Sequence, residues 1–164
     1  MPEEGFDAFY SAHFRRLTSQ LHAYLGDLAE AQDVVQEAFT RAWPRWDTIS
    51  RYEDPAAWVR RVAWNLATSR WRRLRTAASF TSRQRLEVEP EISPDWVDIT
   101  RALASLPPNQ RRAVVLHHLG GVSVADIAAE SEVAENTVKS WLFRGRAALA
   151  GLLNVAGEVA SAHE

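Results

Sequence analysis

The stretch Gly121–Ala150, GVSVADIAAESEVAENTVKSWLFRGRAALA, decides the fold of the C-terminal half of the chain. Its apolar residues recur at spacings of three and four, which predicts two amphipathic helices separated by a short break at residues 131–133. Ser123 is an N-cap candidate for the first helix, and Asp126 three residues later is placed to close a capping box. The second helix is predicted to begin at Glu135. A short helix, a tight turn and a longer helix with a polar face are typical of a helix-turn-helix.

The second of these helices has two distinct faces. Val138, Leu142 and Leu149 fall on one side and are predicted to be buried. The opposite side carries Lys139, Ser140, Phe143 and Arg144. Trp141 lies on the flank, where we expect packing or a partner contact, because an indole offers one hydrogen-bond donor and no charge. An ordinary helical hairpin whose charges face water is the alternative that the pattern alone leaves open.

Composition narrows the class of protein. With 164 residues the chain forms one large domain or two small ones, and its 46% hydrophobic residues are ample for packed cores. It has no cysteine, which excludes disulfides, thiolate catalysis and cysteine-based zinc sites. It also lacks a phosphate-binding glycine loop and a His-x-x-x-His metal motif, so we expect no enzyme, no cofactor and no metal. No apolar run is long enough to span a bilayer and no signal peptide is evident, which favours a cytoplasmic protein without membrane insertion.

Charge is distributed unevenly along the chain. The net charge is −2, yet residues 55–86 contain eight arginines and no acidic residue, whereas residues 87–98 contain five acidic residues and no basic one. A basic block inside an otherwise acidic chain predicts a localised surface that faces phosphates.

The N-terminal half has the periodicity of three helices, over residues 6–25, 28–43 and 55–75. Gly26 breaks the first helix, Asp27 is predicted to cap the second, and Asp54 followed by Pro55 starts the third. The second helix is predicted to bury Ala31, Val34, Val35, Ala38, Phe39 and Ala42. It is predicted to expose Asp33, Gln36, Glu37 and Arg41. Residues 46–54 are predicted to form a loop.

The third helix carries most of the basic block. Its predicted core side consists of Trp58, Val59, Val62, Ala63 and Leu66. Its predicted exposed face consists of Arg61, Asn65, Thr68 and Arg72, flanked by Arg60, Trp64 and Arg75. Arginine and asparagine bind phosphates and base edges, and an exposed aromatic ring stacks on unpaired bases. For Trp64, burial in the core and stacking on a base are equally consistent with the pattern.

Residues 76–95 have no sustained period and two prolines, which indicates a flexible linker. Two further helices are predicted at residues 96–106 and 109–119, and the small-residue segment after Ala150 is expected to fray. The sequence therefore predicts an all-α fold. Two small helical domains, residues 1–75 and 96–155, are joined by a flexible linker at 76–95, and the C-terminal domain is a helix-turn-helix.

Three segments resemble bacterial sigma factors of the sigma-70 family. The helix-turn-helix, preceded by LPPNQRRAVVLHHLGG, resembles their C-terminal DNA-binding domain. AEAQDVVQEAFTRAW resembles the segment that docks on RNA polymerase, and AAWVRRVAWNLATSRWRRLR the segment that reads the minus-ten promoter element. LuxR-type regulators carry a similar helix-turn-helix, so an operator-binding regulator that is not a polymerase subunit is the alternative. Since the resemblance covers two domains and a linker, it implies a minimal sigma factor of the extracytoplasmic-function (ECF, group 4) kind.

The resemblance implies partners and sites. The partners are core RNA polymerase, promoter DNA and an anti-sigma factor. The implied polymerase-binding residues are Asp33, Gln36, Glu37 and Arg41. The implied minus-ten residues are Arg60, Arg61, Trp64, Asn65, Thr68 and Arg72, with the loop at 46–54 holding a flipped-out base. The implied minus-thirty-five residues are Asn136, Thr137, Lys139, Ser140, Phe143 and Arg144.

The chain also departs from the family pattern. Glu132 stands where relatives usually have a turn glycine, and Ala134 where they have a capping serine, which weakens the local turn and cap. Trp141 replaces a residue that is often basic, so the reading surface is less cationic. In the minus-ten segment, Trp64 stands where relatives often have arginine and Ser69 where many have aspartate.

Overall fold

The structure is a computed structural model that describes residues 2–77 and 94–161, with side chains described within 3–73 and 96–154. All regular elements in these ranges are helical, which confirms the predicted all-α fold. The described residues fall into two compact units. The N-terminal unit contains α1 (Pro2–Leu25), α2 (Leu28–Ala42), α3 (Trp46–Ile49) and α4 (Pro55–Ala77). The C-terminal unit contains α5 (Pro94–Ala104), α6 (Pro108–Val114), α7 (Val124–Ser131) and α8 (Glu135–Ser161). Most of the predicted linker lies outside the described residues.

The breaks between the N-terminal helices follow the predicted cap chemistry. Gly26 has a positive φ of 76°, a left-handed conformation that glycine adopts without a Cβ clash. The Asp27 carboxylate accepts the Glu30 backbone N–H at 3.1 Å and so caps α2. Asp54 accepts the Ala57 N–H at 3.2 Å at the start of α4. Both predicted caps are confirmed, and each satisfies a backbone donor that the helix itself leaves unpaired.

The predicted loop at residues 46–54 is wrong in its first half. A 3₁₀ turn at Trp43–Arg45 leads directly into the single turn α3, whose Trp46 and Ile49 are buried. Two apolar side chains three residues apart give this turn a buried face. Trp46 packs its ring 4.9 Å from that of Phe9. Only the segment at residues 50–54 remains as an open connection.

The core of the N-terminal unit lies between α4 and the pair α1 and α2, and α4 packs against both of them. The fully buried side chains on α4 are Val59, Ala63, Trp64 and Ala67. The Trp64 ring lies 4.9 Å from the Tyr24 ring at an interplanar angle of 67°. Because α4 is covered by two helices, its buried arc is broader than the stripe expected for one partner. Exposure of Trp64 toward DNA, one of the two predicted possibilities, is therefore wrong.

The prediction that Trp58 is a core residue is also wrong. Its side chain is only half-buried, as are those of Val62 and Leu66. These residues lie at the edge of the arc that α1 and α2 cover. Trp58, predicted to be in the core, is thus the more exposed of the two, and Trp64, for which periodicity left burial and exposure open, is buried.

In the C-terminal unit, α5 and α6 meet at a connection held by a buried arginine. Arg111 on α6 donates to the carbonyls of Ala104 at 2.8 Å and Leu106 at 3.0 Å, which satisfies acceptors at the end of α5. The helix predicted for residues 109–119 is present, but after Val114 it widens into a π-helical turn, Val115–Leu119. The Gly120 N–H closes this turn on the Val115 carbonyl at 3.0 Å.

The helix-turn-helix is formed by α7 and α8. The Ser123 hydroxyl accepts the Asp126 N–H at 3.1 Å, as predicted for the N-cap. Glu132 ends α7 in the left-handed conformation, with φ 56° and ψ 44°. Glycine adopts this conformation most easily, so the chain makes a glycine-type turn with a residue that carries a Cβ. The expected fraying after Ala150 is wrong, because α8 continues to Ser161.

Candidate polymerase and DNA interfaces

The outer face of α2 is polar, and its inner face is buried. All six residues predicted to be buried on α2 are buried, and Asp33, Gln36 and Arg41 are exposed. Glu37 is half-buried and accepts a hydrogen bond from Arg41 Nε at 2.9 Å. The four predicted polymerase-binding residues therefore share one surface, on which one acid and one base already form a pair.

A residue that the sequence reasoning missed joins this face to α4. Arg70 Nη1 lies 3.0 Å from Glu30 Oε2 and 4.0 Å from Asp33 Oδ2. The Arg70 side chain thus connects the helix with the basic face to the start of the α2 polar face. Periodicity cannot identify a partner forty residues away in the chain, so no sequence signal pointed to this contact.

The predicted minus-ten residues on α4 separate into two groups. Arg61, Asn65 and Arg72 are exposed on one side of the helix. Thr68 is half-buried, and its hydroxyl donates to the Trp64 carbonyl at 2.9 Å. Arg60 is half-buried, Trp64 is buried, and the side chain of Arg75 lies outside the described residues.

The half-exposed aromatic residue on this side of α4 is Trp58 rather than Trp64. Arg61 follows it by three residues and Asn65 by seven, so the three side chains lie on one side of the helix. A large, partly exposed indole beside arginine and asparagine has the composition of a surface for single-stranded nucleic acid. Trp58 is therefore the aromatic residue that belongs with the exposed basic face.

On α8 the predicted buried face is observed at two of its three positions. Val138 and Leu142 are buried, whereas Leu149 is half-buried. On the opposite side, Asn136, Lys139, Phe143 and Arg144 are exposed, and Thr137 and Ser140 are half-buried. Phe143 has 70% of its surface exposed, which is unusual for a large apolar side chain. Trp141 is half-buried at the flank.

One further cation on this helix, Arg146, was not among the predicted residues. Arg146 on α8 is exposed, and its charge acts on His118 in the π-helical turn. Burial lowers the pKa of His118 below its ordinary value, and the positive charges of His117 and Arg146 lower it further. His117 itself donates from Nδ1 to the Val122 carbonyl at 2.9 Å.

Within residues 2–77 and 94–161, no group of three or more histidine, cysteine or acidic side chains is arranged to hold a metal ion. Among the same residues, no helix combines the length and the apolar character needed to cross a bilayer.

Both halves of the chain match known protein families. Residues 9–77 match the sigma-70 region 2 family and residues 96–149 the sigma-70 region 4 family. The ECF RNA polymerase sigma factor SigL of Mycobacterium tuberculosis is 35% identical over 143 residues, which are 82% of this chain and 81% of SigL. SigM of the same organism, also an ECF sigma factor, is 33% identical over 157 residues, covering 91% of this chain and 77% of SigM.

Solved structures agree with this result. The sigma factor RpoE of Bartonella quintana, solved in complex with the anti-sigma factor NepR, superposes with a TM-score of 0.77 at 27% identity. The match covers 93% of this chain and 98% of RpoE. A LuxR-like regulator is not favoured, because the N-terminal half also matches a sigma-factor region. The chain belongs to the sigma-70 family and is an RNA polymerase sigma factor of the extracytoplasmic-function kind.

Proposed function

We propose that this sigma factor divides its work among three helix faces. The polar face of α2 docks on core RNA polymerase through Asp33, Gln36, Glu37 and Arg41. The exposed side of α4 contacts the minus-ten element through Arg60, Arg61, Asn65, Thr68 and Arg72, with Trp58 in place of Trp64. The outer face of α8 contacts the minus-thirty-five element through Asn136, Thr137, Lys139, Ser140, Phe143 and Arg144. The proposed domain limits are residues 1–75 and 96–155, with the linker at 76–95.

The weak affinity of each unit for promoter DNA explains why such a protein needs polymerase. Each face offers few phosphate and base contacts, so neither unit alone binds promoter DNA tightly. Core polymerase holds both units on one complex, so binding of the first raises the effective concentration of the second. Selectivity for a promoter then belongs to the complex rather than to either unit.

Promoter opening requires a place for an unpaired base. Unpairing and unstacking one base costs on the order of a few kcal/mol, which contacts to the extruded base offset. In the N-terminal unit, the open segment at residues 50–54 contains Tyr52, whose side chain is 45% exposed. The half-exposed Trp58 follows shortly after it in the chain. We propose that these two aromatic residues replace the predicted loop pocket that began at Trp46.

Membership of the sigma-70 family also suggests how the protein is regulated, where it acts and whether it catalyses a reaction. We propose an anti-sigma partner that covers one or more of the three faces, because the related RpoE is solved in complex with one. We propose a cytoplasmic location, where core polymerase is found. We propose no catalysis by this chain itself, since the proposed faces recognise protein and DNA and contain no nucleophile paired with a base.

The observation that best supports the DNA assignment is the arrangement of α8. Val138 and Leu142 are buried, while Phe143 and two cationic side chains project from the other side. Replacing Arg144 with alanine should weaken binding of the polymerase complex to a cognate promoter by about 1–3 kcal/mol, the range for one base contact. Binding to core polymerase should not change.

Trp141→Ala is the matched control on the same helix. Because Trp141 is half-buried at the flank, its loss should reduce promoter binding much less than the loss of Arg144. Both variants are measured by promoter-selective transcription and by direct binding to a promoter duplex. If Trp141→Ala had the larger effect on promoter binding, the placement of α8 on DNA would be wrong.

The polymerase face needs a different design, because Glu37 is paired with Arg41. Reversing the charge of Glu37 alone would place two arginines together and disturb the helix. The exchange Glu37→Arg with Arg41→Glu keeps an opposite-charge pair at the same spacing, at a cost of a few tenths of a kcal/mol. We expect this double variant to keep its helicity and melting temperature and to lose affinity for core polymerase in a pull-down. Unchanged affinity would overturn the assignment of this face.

A further inference from the structure

One acid of the proposed polymerase face is in contact with a second helix. Asp33 belongs to that face, and Glu30 lies three residues before it on the same side of α2. Arg70 on α4 approaches both acids, because its Nη1 atom lies 3.0 Å from Glu30 Oε2 and 4.0 Å from Asp33 Oδ2. One guanidinium of α4 therefore bridges two neighbouring carboxylates of α2.

The two contacts of Arg70 differ in length and in exposure. Arg70 Nη1 donates a hydrogen bond to the Glu30 carboxylate, so this contact is a hydrogen-bonded ion pair. The side chain of Glu30 is 21% exposed and that of Arg70 33%, so water screens this pair incompletely. Asp33 lies at the outer limit of an ion pair, and 67% of its side chain is exposed. Glu30 thus anchors the guanidinium, while Asp33 stays accessible to a binding partner.

The backbone on both sides of this bridge is held by core packing. Ala67, three residues before Arg70 on α4, has no exposed surface, and neither has Val34, which follows Asp33 on α2. The two helices pack directly against each other. The guanidinium is therefore placed beside Asp33 before any partner binds, and such preorganisation lowers the entropy that binding has to offset.

The other acid of the polymerase face is held in a different way. Glu37 is paired at 2.9 Å with Arg41, which lies four residues later on the same helix and belongs to the same face. This pair depends on α2 alone. The contact of Asp33 with Arg70 requires in addition that α4 is packed on α2. One charge of the polymerase face is thus tied to the position of α4.

We propose that Arg70 is a positioning residue for docking on core RNA polymerase and that it acts through Asp33. The proposal rests on the proposed role of the α2 face. When polymerase covers Asp33, water is excluded, and the attraction between carboxylate and guanidinium increases because the local dielectric constant falls. A carboxylate covered without this compensation would weaken docking. Docking thereby strengthens a contact between α2 and α4, the helix that carries the proposed minus-ten residues.

The test is a double-mutant cycle on the affinity of the full chain for core polymerase, measured without DNA. Arg70→Gln should weaken binding by about fivefold. Asp33→Asn should also weaken binding, and adding Arg70→Gln to it should cause no further loss, because the carboxylate through which Arg70 acts is gone. Arg73→Gln is the matched control. Arg73 is exposed on the next turn of α4, and removing the same charge there should leave the affinity unchanged.

A second variant separates positioning from stability. Arg70→Gln leaves the partly buried Glu30 without the guanidinium, which should lower the melting temperature. Glu30→Gln with Arg70→Gln removes both charges and leaves two amides that can hydrogen-bond, so the melting temperature should recover. The polymerase affinity of this double variant should remain as low as that of Arg70→Gln, because Asp33 still lacks its cation. Recovery of the affinity together with the melting temperature would overturn the proposal.

The outcomes also distinguish this inference from the proposed function. If Asp33→Asn and the exchange of Glu37 with Arg41 weaken polymerase binding, the α2 face stands. In that case, an Arg70→Gln variant with wild-type affinity, or one with the same loss in the presence and absence of the Asp33 carboxylate, shows that Arg70 does not act through Asp33. If neither Asp33→Asn nor the exchange changes the affinity, the assignment of the α2 face fails and the role of Arg70 fails with it.

Discussion

The two helices that carry the proposed DNA contacts, α4 and α8, pack against their neighbours in different ways. Each must bury one side and present cations on the other. α4 fills the space between its neighbours with a large side chain, Trp64, which has no exposed surface. α8 instead packs in close contact with α6 at a glycine. A Cβ on its buried Gly145 would lie 2.7 Å from Val114 Cγ2, so α6 and α8 approach closely.

This difference explains which faces periodicity predicts well. Where small residues allow close contact, the buried stripe is narrow and follows the spacing of Val138 and Leu142. Where a large residue spans the gap between two helices, the stripe widens and includes positions that periodicity leaves open. A tryptophan in a basic amphipathic helix is therefore an ambiguous signal until the number of packing partners is known.

The largest effect on stability should come from truncating Trp64, which fills the space between α4 and its two neighbouring helices. Trp64→Ala should lower the free energy of unfolding by about 3–5 kcal/mol, the usual cost of truncating a buried aromatic residue. Trp58→Ala, on the same helix, should cost much less because Trp58 is half-exposed. Urea unfolding of both variants measures the difference. Equal losses for the two would mean that α4 does not have the broad buried arc described above.

The same pair of variants separates structure from function. Trp58→Ala should keep its affinity for core polymerase and reduce open-complex formation, if Trp58 stacks on an unpaired base. Permanganate reactivity of unpaired thymines in the promoter reports opening directly. Wild-type levels of opening with Trp58→Ala would remove Trp58 from the proposed minus-ten surface.

The second effect should come from adding a side chain where the helices touch. Gly145→Ala should lower the free energy of unfolding by about 1–3 kcal/mol through overpacking. Val114 is β-branched and has little rotamer freedom in a helix, so its methyl group cannot simply turn away. The double variant Gly145→Ala with Val114→Ala should recover part of the loss, which a double-mutant cycle measures.

Gly151→Ala is the matched control for this prediction. Gly151 lies on the same helix, and a Cβ there would meet nothing within 4 Å. Since alanine is the better helix former by about 1 kcal/mol, this change should stabilise the protein. Gly145→Ala and Gly151→Ala should therefore differ in sign. The close contact between α6 and α8 would be contradicted if they did not.

The sequence predicted the elements of this protein better than their contacts. Helix positions followed from periodicity, and the breaks followed from Gly26, Asp27, Asp54 and Ser123, whose cap chemistry is local. α3 was missed because a single turn is too short to show a period. The contacts of Arg70 with α2 depend on how helices pack, and no local rule predicts them. The roles of the candidate site residues remain predictions.

A smaller effect should come from the turn of the helix-turn-helix. Glu132 adopts a left-handed conformation, which costs an L-residue roughly 1–2 kcal/mol and which glycine adopts freely. Glycine also loses more conformational entropy on folding, so the net gain from Glu132→Gly should be about 0.5–1 kcal/mol. Glu132→Ala keeps the Cβ and should give no such gain. Thermal unfolding of the two variants provides the comparison, and equal stabilities would show that the backbone strain is negligible.

The smallest effect should be a dependence of stability on pH, since each unit contains a histidine whose pKa is lowered. For His22, burial lowers the pKa, and the nearby Asp27 carboxylate partly opposes this. The unfolded chain therefore takes up a proton first as the pH falls below about 6.5, and the stability present above that pH is progressively lost.

Asp27→Asn preserves the N-cap, because asparagine caps as well as aspartate. It also removes the charge that supports protonated His22. In this variant the acid-induced loss of stability should be steeper than in the wild type, whereas in His22→Gln it should be shallower. Urea unfolding of both variants between about pH 5 and about pH 8 measures these slopes. If Asp27→Asn had the shallower slope, the Asp27 carboxylate would not be raising the pKa of His22.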